Sequence, residues 1–247
     1  LGHPVTTGLP AIDYFISGSL IEPKKNENDY SEKLVSLNGI PICVERSSQF
    51  PMVTEVKQAI GQHIVCPQSL FKFHPDFDEI LGGILRSLPK AEIQIIDGSH
   101  PAWTELLQKR LLKTLSDVSD RIKILPRCSD KNFGELISAA DVILDTPHFS
   151  GGFTTYQSLA AGTPVVTLPS QFMRGRVSLG LYCQMQVMDC VSSNIEEYID
   201  IVKRLCLDHD FARSVREQII EGQPKIFDNR LTINRHAKFF ERIIAEI

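Results

Sequence analysis

The sequence predicts an α/β fold: a Rossmann-like parallel sheet flanked by helices over residues 61–247, preceded by a short remnant of another unit over residues 1–60. Three observations carry this. From His63 onward, short apolar runs alternate with helical stretches, the pattern of βαβ units with right-handed crossovers. The apolar runs contain few polar residues, as strands covered on both faces should. Residues 1–60 break the pattern and hold too few regular elements to form a domain alone.

Taken in order, Ile12–Ser17 and Ile40–Val44 read as short strands, and the polar stretch EPKKNENDYSEK between them reads as a loop entering a short helix. The strands of the main unit are predicted at His63–Cys66, Glu92–Asp97, Ile122–Leu125, Val142–Asp145 and Val165–Leu168. Apolar residues at helical spacing place helices between them at Asp76–Ser87, Trp103–Leu115, Lys131–Ala140 and Thr155–Ala161. Beyond Pro169, helices are predicted near Arg174–Gln184, Ile195–Cys206, Asp210–Glu221 and Leu231–Ile247. No internal repeat or low-complexity segment interrupts the chain.

Composition narrows the class. The 247 residues are 43% hydrophobic and 23% charged, with a net charge of −4 spread along the chain. That disfavours a broad nucleic-acid surface but leaves room for a local anion site. No apolar run reaches the roughly 18 residues that span a bilayer. The opening LGHPVTTGLP lacks the basic start and apolar core of a secretion signal. Six scattered cysteines without a Cys-x-x-Cys pair read as free thiols, most of them buried, in a reducing, cytoplasmic setting. The first residue is Leu1 rather than Met, which suggests a piece of something longer.

The stretch DTPHFSGGFTTYQSLAAGTPVV, from Asp145 to Val166, carries the most chemistry. A loop at the carboxyl end of a parallel strand faces the ligand crevice of such a sheet. Gly151 and Gly152 permit positive φ and close approach of a ligand. Thr154 and Thr155 open a helix, where hydroxyls and unsatisfied N–H groups suit a diphosphate. The same pattern also suits a capped helix after a tight turn with no ligand. Lys72, in CPQSLFKFHP, follows the first strand of the unit and faces the same crevice, or else is a solvated lysine. In LPRCSD, the backbone at Arg127 and Cys128 could meet the edge of a base. Gln157, one turn into the helix, could reach ribose hydroxyls or lie on the surface. His148 could touch a sugar or phosphate.

Other residues read as structural: His74 at a helix start, Asp97 in a turn with Gly98, and Trp103 as packing. Arg174 and Arg176 suit either phosphate or an ion pair. The stripe Phe239, Phe240, Ile243 and Ile244 reads as core or cross-domain packing. No Gly-Lys-Ser/Thr loop and no Gly-x-Gly-x-x-Gly occurs, and clustered metal-ligand spacings are missing.

In combination these segments resemble the C-terminal half of the catalytic region of the O-linked N-acetylglucosamine transferase and SPINDLY-like glycosyltransferases, which have the GT-B fold. The resemblance covers nearly the whole chain. GHPVTTGLPAIDYFIS is similar to the family's Gly-aromatic-Pro-Gly-Thr-Ser-Gly segment followed by Met-Asp-Tyr, with His3 where the transferase has Tyr. DYSEKLVSL resembles Tyr-Ser-Glu-Lys-Leu. CPQSLFKFHP resembles the segment whose Gln and Lys contact the nucleotide diphosphate, with Gln68 one residue out of register. LPR is similar to the loop that holds uracil. DTPHFSGGFTTYQSLAAGTPVVTLP resembles the Asp-Thr-Pro…Gly-His-Thr-Thr…Ala-Gly-Thr-Pro signature. Phe153 replaces the family's His, and Gln157 or Ser158 stands where an acidic residue is expected.

The resemblance implies that residues 1–60 are the tail of an N-terminal Rossmann domain and its linker, and that residues 61–247 bind the nucleotide sugar. It implies inverting, metal-independent transfer of a sugar, with UDP-N-acetylglucosamine as donor substrate, no cofactor, and a protein or peptide Ser/Thr hydroxyl as acceptor. Lys72 would stabilise the leaving diphosphate and Gln68 would contact it. Thr154 and Thr155 would bind it at the helix N-terminus, beside His148, Gly151, Gly152 and Phe153. Gln157 would meet the ribose, and Arg127 and Cys128 the base. The family's general-base candidates and most acceptor contacts lie in the N-terminal Rossmann domain, which tetratricopeptide repeats often precede, so these residues alone should show little transfer. No nucleic-acid or membrane partner is implied. A different donor such as GDP-fucose, a non-catalytic nucleotide-sugar module and a structural pseudo-domain are the rival readings.

Overall fold

The computed structural model of the chain describes residues 4–23, 27–45 and 61–246; His3 lies outside them. The main sheet has five parallel strands: β3 (His63–Cys66), β4 (Glu92–Ile96), β5 (Ile122–Leu125), β6 (Val142–Leu144) and β7 (Val165–Val166), in the order β5-β4-β3-β6-β7. Ile64 pairs with both Ile93 of β4 and Val142 of β6, which makes β3 central. β6 is buried along its whole length, and three of the four β3 residues are buried. This explains why both read as uninterrupted apolar runs.

Helices α1 (Asp76–Ser87), α2 (Pro101–Thr114), α3 (Asp130–Ala139) and α4 (Phe153–Ala160) join the strands; α5 (Val177–Met185), α6 (Ile195–Leu207), α7 (His209–Gly222) and α8 (Arg230–Ala245) follow. In α1, Phe77, Ile80, Leu81, Ile84 and Leu85 are buried at helical spacing, and α1 packs against α6. Asn194 caps α6 by accepting from the Glu197 N–H at 2.8 Å, and Asp208 caps α7 by accepting from the Phe211 N–H at 3.0 Å. Proline at the first position starts α2 two residues earlier than the apolar pattern suggests.

The segment before the main sheet differs from its prediction. β1 (Tyr14–Gly18) pairs in parallel with β2 (Lys33–Leu37), a strand the sequence does not predict because charged residues crowd its start. Ile40–Val44 forms no strand: Val44 makes an isolated bridge to Phe227, and Pro41 has no N–H for a ladder. The expected short helix is one 3₁₀ turn, Glu27–Asp29. The predicted helix from Arg174 is divided into a 3₁₀ turn, Met173–Gly175, and α5.

α8 packs back on this segment. Phe239 meets Tyr14 edge-on, with ring centroids 5.4 Å apart. Thr232 donates to the Ile40 carbonyl at 3.2 Å, and Arg235 to that of Asn38 at 2.5 Å. Of the predicted apolar stripe, Phe239 is buried while Phe240 and Ile244 are exposed. Trp103, read as packing, is also exposed and meets Phe71 edge-on at the surface. Near β1, the Glu32 carboxylate accepts from the Thr6 hydroxyl and from both the N–H and the hydroxyl of Thr7. Those bonds pull its pKa from an ordinary 4.5 to about 2.

All six cysteines are free; Cys66, Cys190 and Cys206 are buried, Cys43 and Cys183 half-buried and Cys128 exposed. Among the described residues, no helix is long and apolar enough to cross a membrane.

Candidate functional site

The strand order creates a switch point. From β3 the chain winds outward through β4 and β5, then returns to β6 beside β3 and winds the other way to β7. The connections after β3 and β6 therefore part at their carboxyl ends and open a crevice there. Lys72 stands on one side, in the 3₁₀ turn Leu70–Lys72 after β3. The loop 145–152 and the start of α4 stand on the other.

Hydrogen bonds join the two sides. Lys72 Nζ donates to Gln68 Oε1 at 3.0 Å and to the Ser150 carbonyl at 3.0 Å. It also lies 4.7 Å from the centroid of the Phe149 ring. Gln68 Nε2 donates in turn to Thr154 Oγ1 at 3.0 Å. Burial lowers the Lys72 pKa, opposed chiefly by the charge of Asp145. Gln68, placed here by resemblance alone, is 2% exposed and bridges the ammonium to the helix start.

Beneath the loop sits a carboxylate whose role was not legible in the sequence. Asp145 is fully buried and accepts from the Gly151 N–H at 2.6 Å and the Thr167 hydroxyl at 2.8 Å. Burial raises its pKa; hydrogen bonds from Ser178, Gly151 and Thr167 and the charge on Lys72 work against that rise. Ser150 is tied on both sides: its hydroxyl donates to the Arg174 carbonyl at 3.1 Å and accepts from the Val177 N–H at 3.0 Å.

This scaffold corrects the roles assigned to the turn. Neither Gly151 nor Gly152 has positive φ; His148 does, at 66°. Gly151 is needed for space instead. A Cβ there would lie 2.5 Å from Gln68 Nε2 and 2.8 Å from Thr154 Oγ1, and closer still to Thr155 Oγ1. The helix is capped by Gly152 rather than by a threonine. Thr155 is buried, and its hydroxyl shares a 3.0 Å hydrogen bond with Ser178. Thr154 keeps its hydroxyl proton for a ligand, since Gln68 donates to it. Around Gly152 a Cβ would meet nothing within 4 Å, so the mouth of the helix stays open.

The predicted residues divide between two clefts. Gln68, Arg127, Cys128, Phe153 and Gln157 line a cleft of about 780 Å³ at the ends of β3, β4 and β5. Arg127, Cys128 and Phe153 are exposed there. His148 instead lines a cleft of about 400 Å³, with Asp76, Ser170, Asn194 and Glu196. Lys72, Gly151, Thr154 and Thr155 form the ridge that carries the lysine and the helix start. Asp97 accepts from the Thr104 hydroxyl, to which the Gly98 N–H also donates, so it organises its turn while facing the larger cleft. Arg176 donates to the Ser170 carbonyl and Arg174 stacks on Phe172 at 4.7 Å.

Among the described residues, one group is close enough to hold a metal ion: His74, Asp76 and His148, all exposed, with ligating atoms within 4.8 Å of one another. Sequence spacing misses it because His148 comes 72 residues after Asp76. The ridge itself offers an ammonium and a helix N-terminus, both suited to an anion.

Known proteins resemble this chain in sequence and in fold. The model of the family described as Glycosyl transferase family 41 matches residues 61–233. The chain is 26% identical over 232 residues to the probable UDP-N-acetylglucosamine–peptide N-acetylglucosaminyltransferase SPINDLY of Hordeum vulgare, covering 90% of this chain and 24% of that protein. The Arabidopsis thaliana protein of the same description is 27% identical over 214 residues, covering 84% and 23%. The chain thus spans about a quarter of the length of these curated relatives. Among solved structures, a point mutant of the Thermobaculum terrenum O-GlcNAc transferase superposes with a TM-score of 0.86 at 24% identity, over 98% of this chain and 47% of that one. Sucrose-phosphate synthase of Thermosynechococcus elongatus gives 0.65 at 15% identity, over 95% and 59%. These likenesses identify the fold as that of GT-B glycosyltransferases.

Proposed function

The chain belongs to glycosyl transferase family 41, and from that premise we propose that it supplies the nucleotide-sugar site of an inverting transferase. The donor in this reading is UDP-N-acetylglucosamine, and the acceptor is a Ser or Thr hydroxyl of a protein or peptide. The observation that carries the reading is the Lys72 ammonium, bonded to Gln68 and to the Ser150 carbonyl beside the open start of α4.

An ammonium has three donors, and two are engaged here among the described residues. The third, with the Thr154 hydroxyl and the first-turn amides of α4, can receive a diphosphate. Attack by the acceptor oxygen at the anomeric carbon forms one C–O bond and breaks the bond to the β-phosphate. The electron pair leaves on the diphosphate, where Lys72 and the helix N-terminus neutralise it without a metal. The base lies at Arg127 and Cys128 and the ribose near Gln157. Phe153, exposed in the same cleft, offers a ring face in place of the family's imidazole. The group that takes the acceptor's proton belongs to the part of the relatives that this chain does not match.

Calorimetric titration with UDP, with GDP as control and Lys72→Ala as variant, tests the reading. Saturable UDP binding that falls sharply in the variant is the expected result. Binding of GDP alone would reassign the donor. If a longer chain that includes the preceding half binds neither nucleotide, the proposal fails.

A further inference from the structure

We propose that His74, Asp76 and His148 form a binding site for a divalent transition metal of the zinc class, apart from the diphosphate ridge and independent of the nucleotide-sugar reading. His148 Nε2 lies 2.8 Å from Asp76 Oδ2, and His74 Nδ1 lies 3.3 Å from Asp76 Oδ1. Ligands of a tetrahedral ion with bonds of ~2.0 Å stand roughly 3.3 Å apart; one donor atom from each of the three residues lies within 4.8 Å of the others, so modest side-chain rotation closes the set. The two imidazole rings meet edge to face at 4.6 Å between centroids, with the carboxylate against both.

The donor set decides the class of ion. Two imidazole nitrogens and one carboxylate oxygen suit zinc, cobalt or nickel, whereas magnesium and calcium require oxygen ligands. The adjoining cleft of about 400 Å³ is lined by Asp76, His148, Ser193 and Glu196 and leaves room for water or a further ligand. An ion would replace the 2.8 Å bond between His148 Nε2 and Asp76 Oδ2 and the long 3.3 Å one from the Asp76 N–H to His74 Nδ1.

The backbone supplies an independent observation. His148 is held at φ 66°, a region that disfavours side chains other than Asn, Asp or His and concentrates at functional sites. Glycines stand three and four residues later, yet the left-handed position holds a histidine aimed at Asp76. His148 also belongs to the loop whose Phe149 ring and Ser150 carbonyl contact Lys72. A bound ion would pin that loop to the first turn of α1.

The test uses the full chain, stripped with a chelator and titrated with Zn²⁺ by calorimetry and with Co²⁺ by visible absorption. A single saturable equivalent is expected, with the intense visible band of tetrahedral cobalt and no response to Mg²⁺. His74→Ala, Asp76→Asn and His148→Gly should each weaken binding at least about tenfold. All three side chains are exposed, and glycine suits the left-handed position, so circular dichroism of the metal-free variants should match the parent. Cys128→Ser controls for the exposed thiol and should bind as the parent does. Failure to saturate, binding that survives His148→Gly, or loss of binding in Cys128→Ser would each overturn the site.

Discussion

The loop after β6 has an inner side and an outer side, and they are built on different principles. On the inner side Asp145, Ser150, Gly151 and Thr155 are buried, and their polar atoms bond to Thr167 just after β7, to α5 or to one another. On the outer side His148 and Phe153 are exposed, and the space around Gly152 is open. The inner side fixes where the loop runs, and the outer side is left to meet ligands. Stability and binding should therefore separate by side, with Lys72 at the boundary.

The largest effect is expected at the inner carboxylate. Asp145→Ala leaves the Gly151 N–H and the Thr167 hydroxyl buried without their acceptor, at a cost of about 3 kcal/mol or more. Thermal unfolding measures it, and a variant that kept its melting point would break the inner–outer division. Gly151→Ala comes next. Its methyl group collides with Gln68, Thr154 and Thr155, costing about 1–3 kcal/mol of stability and lowering UDP affinity at once.

At the boundary, Lys72→Ala should weaken UDP binding by roughly thirtyfold, the equivalent of about 2 kcal/mol for a charged hydrogen bond. Its melting point should move less than that of Gly151→Ala. On the outer side, His148→Gly relieves a left-handed residue but removes the exposed bond to Asp76, so stability should change by under ~1 kcal/mol. UDP affinity should stay unchanged, and a large loss would show that the outer side is part of the scaffold.

Glu32, away from this loop, provides a pH control. Its folded pKa is lowered from 4.5 to about 2, so its contribution is fully present above the ordinary value and is lost as pH falls through about 2. Glu32→Gln should flatten that part of an acid-unfolding curve and leave the neutral range nearly unchanged in slope.

Legibility in the sequence follows burial. β3 and α1 end where their apolar patterns end, because strands and helices packed in the core are fixed by local pattern and core together. β2 escapes because KLVSL begins among charges and pairs only with β1, so few of its residues had to be apolar. The glycine-rich turn is legible as a site, but the duties within it are not. Whether a threonine hydroxyl turns outward or inward depends on Ser178, 23 residues away from Thr155. Asp145 reads as a strand end until Thr167, 22 residues on, is brought against it. Side-chain direction at such positions is decided by tertiary partners, which one-dimensional spacing does not record.

The contact of α8 with β1 also has a consequence for biosynthesis. The Thr232 bond to Ile40 closes over 192 residues, so a ribosome adding ~5–20 residues per second finishes the small sheet's covering helix about 10–40 s after the sheet itself emerges. The contacts of α8 with the stretch around β1 and β2 are thus among the last that a nascent chain can complete.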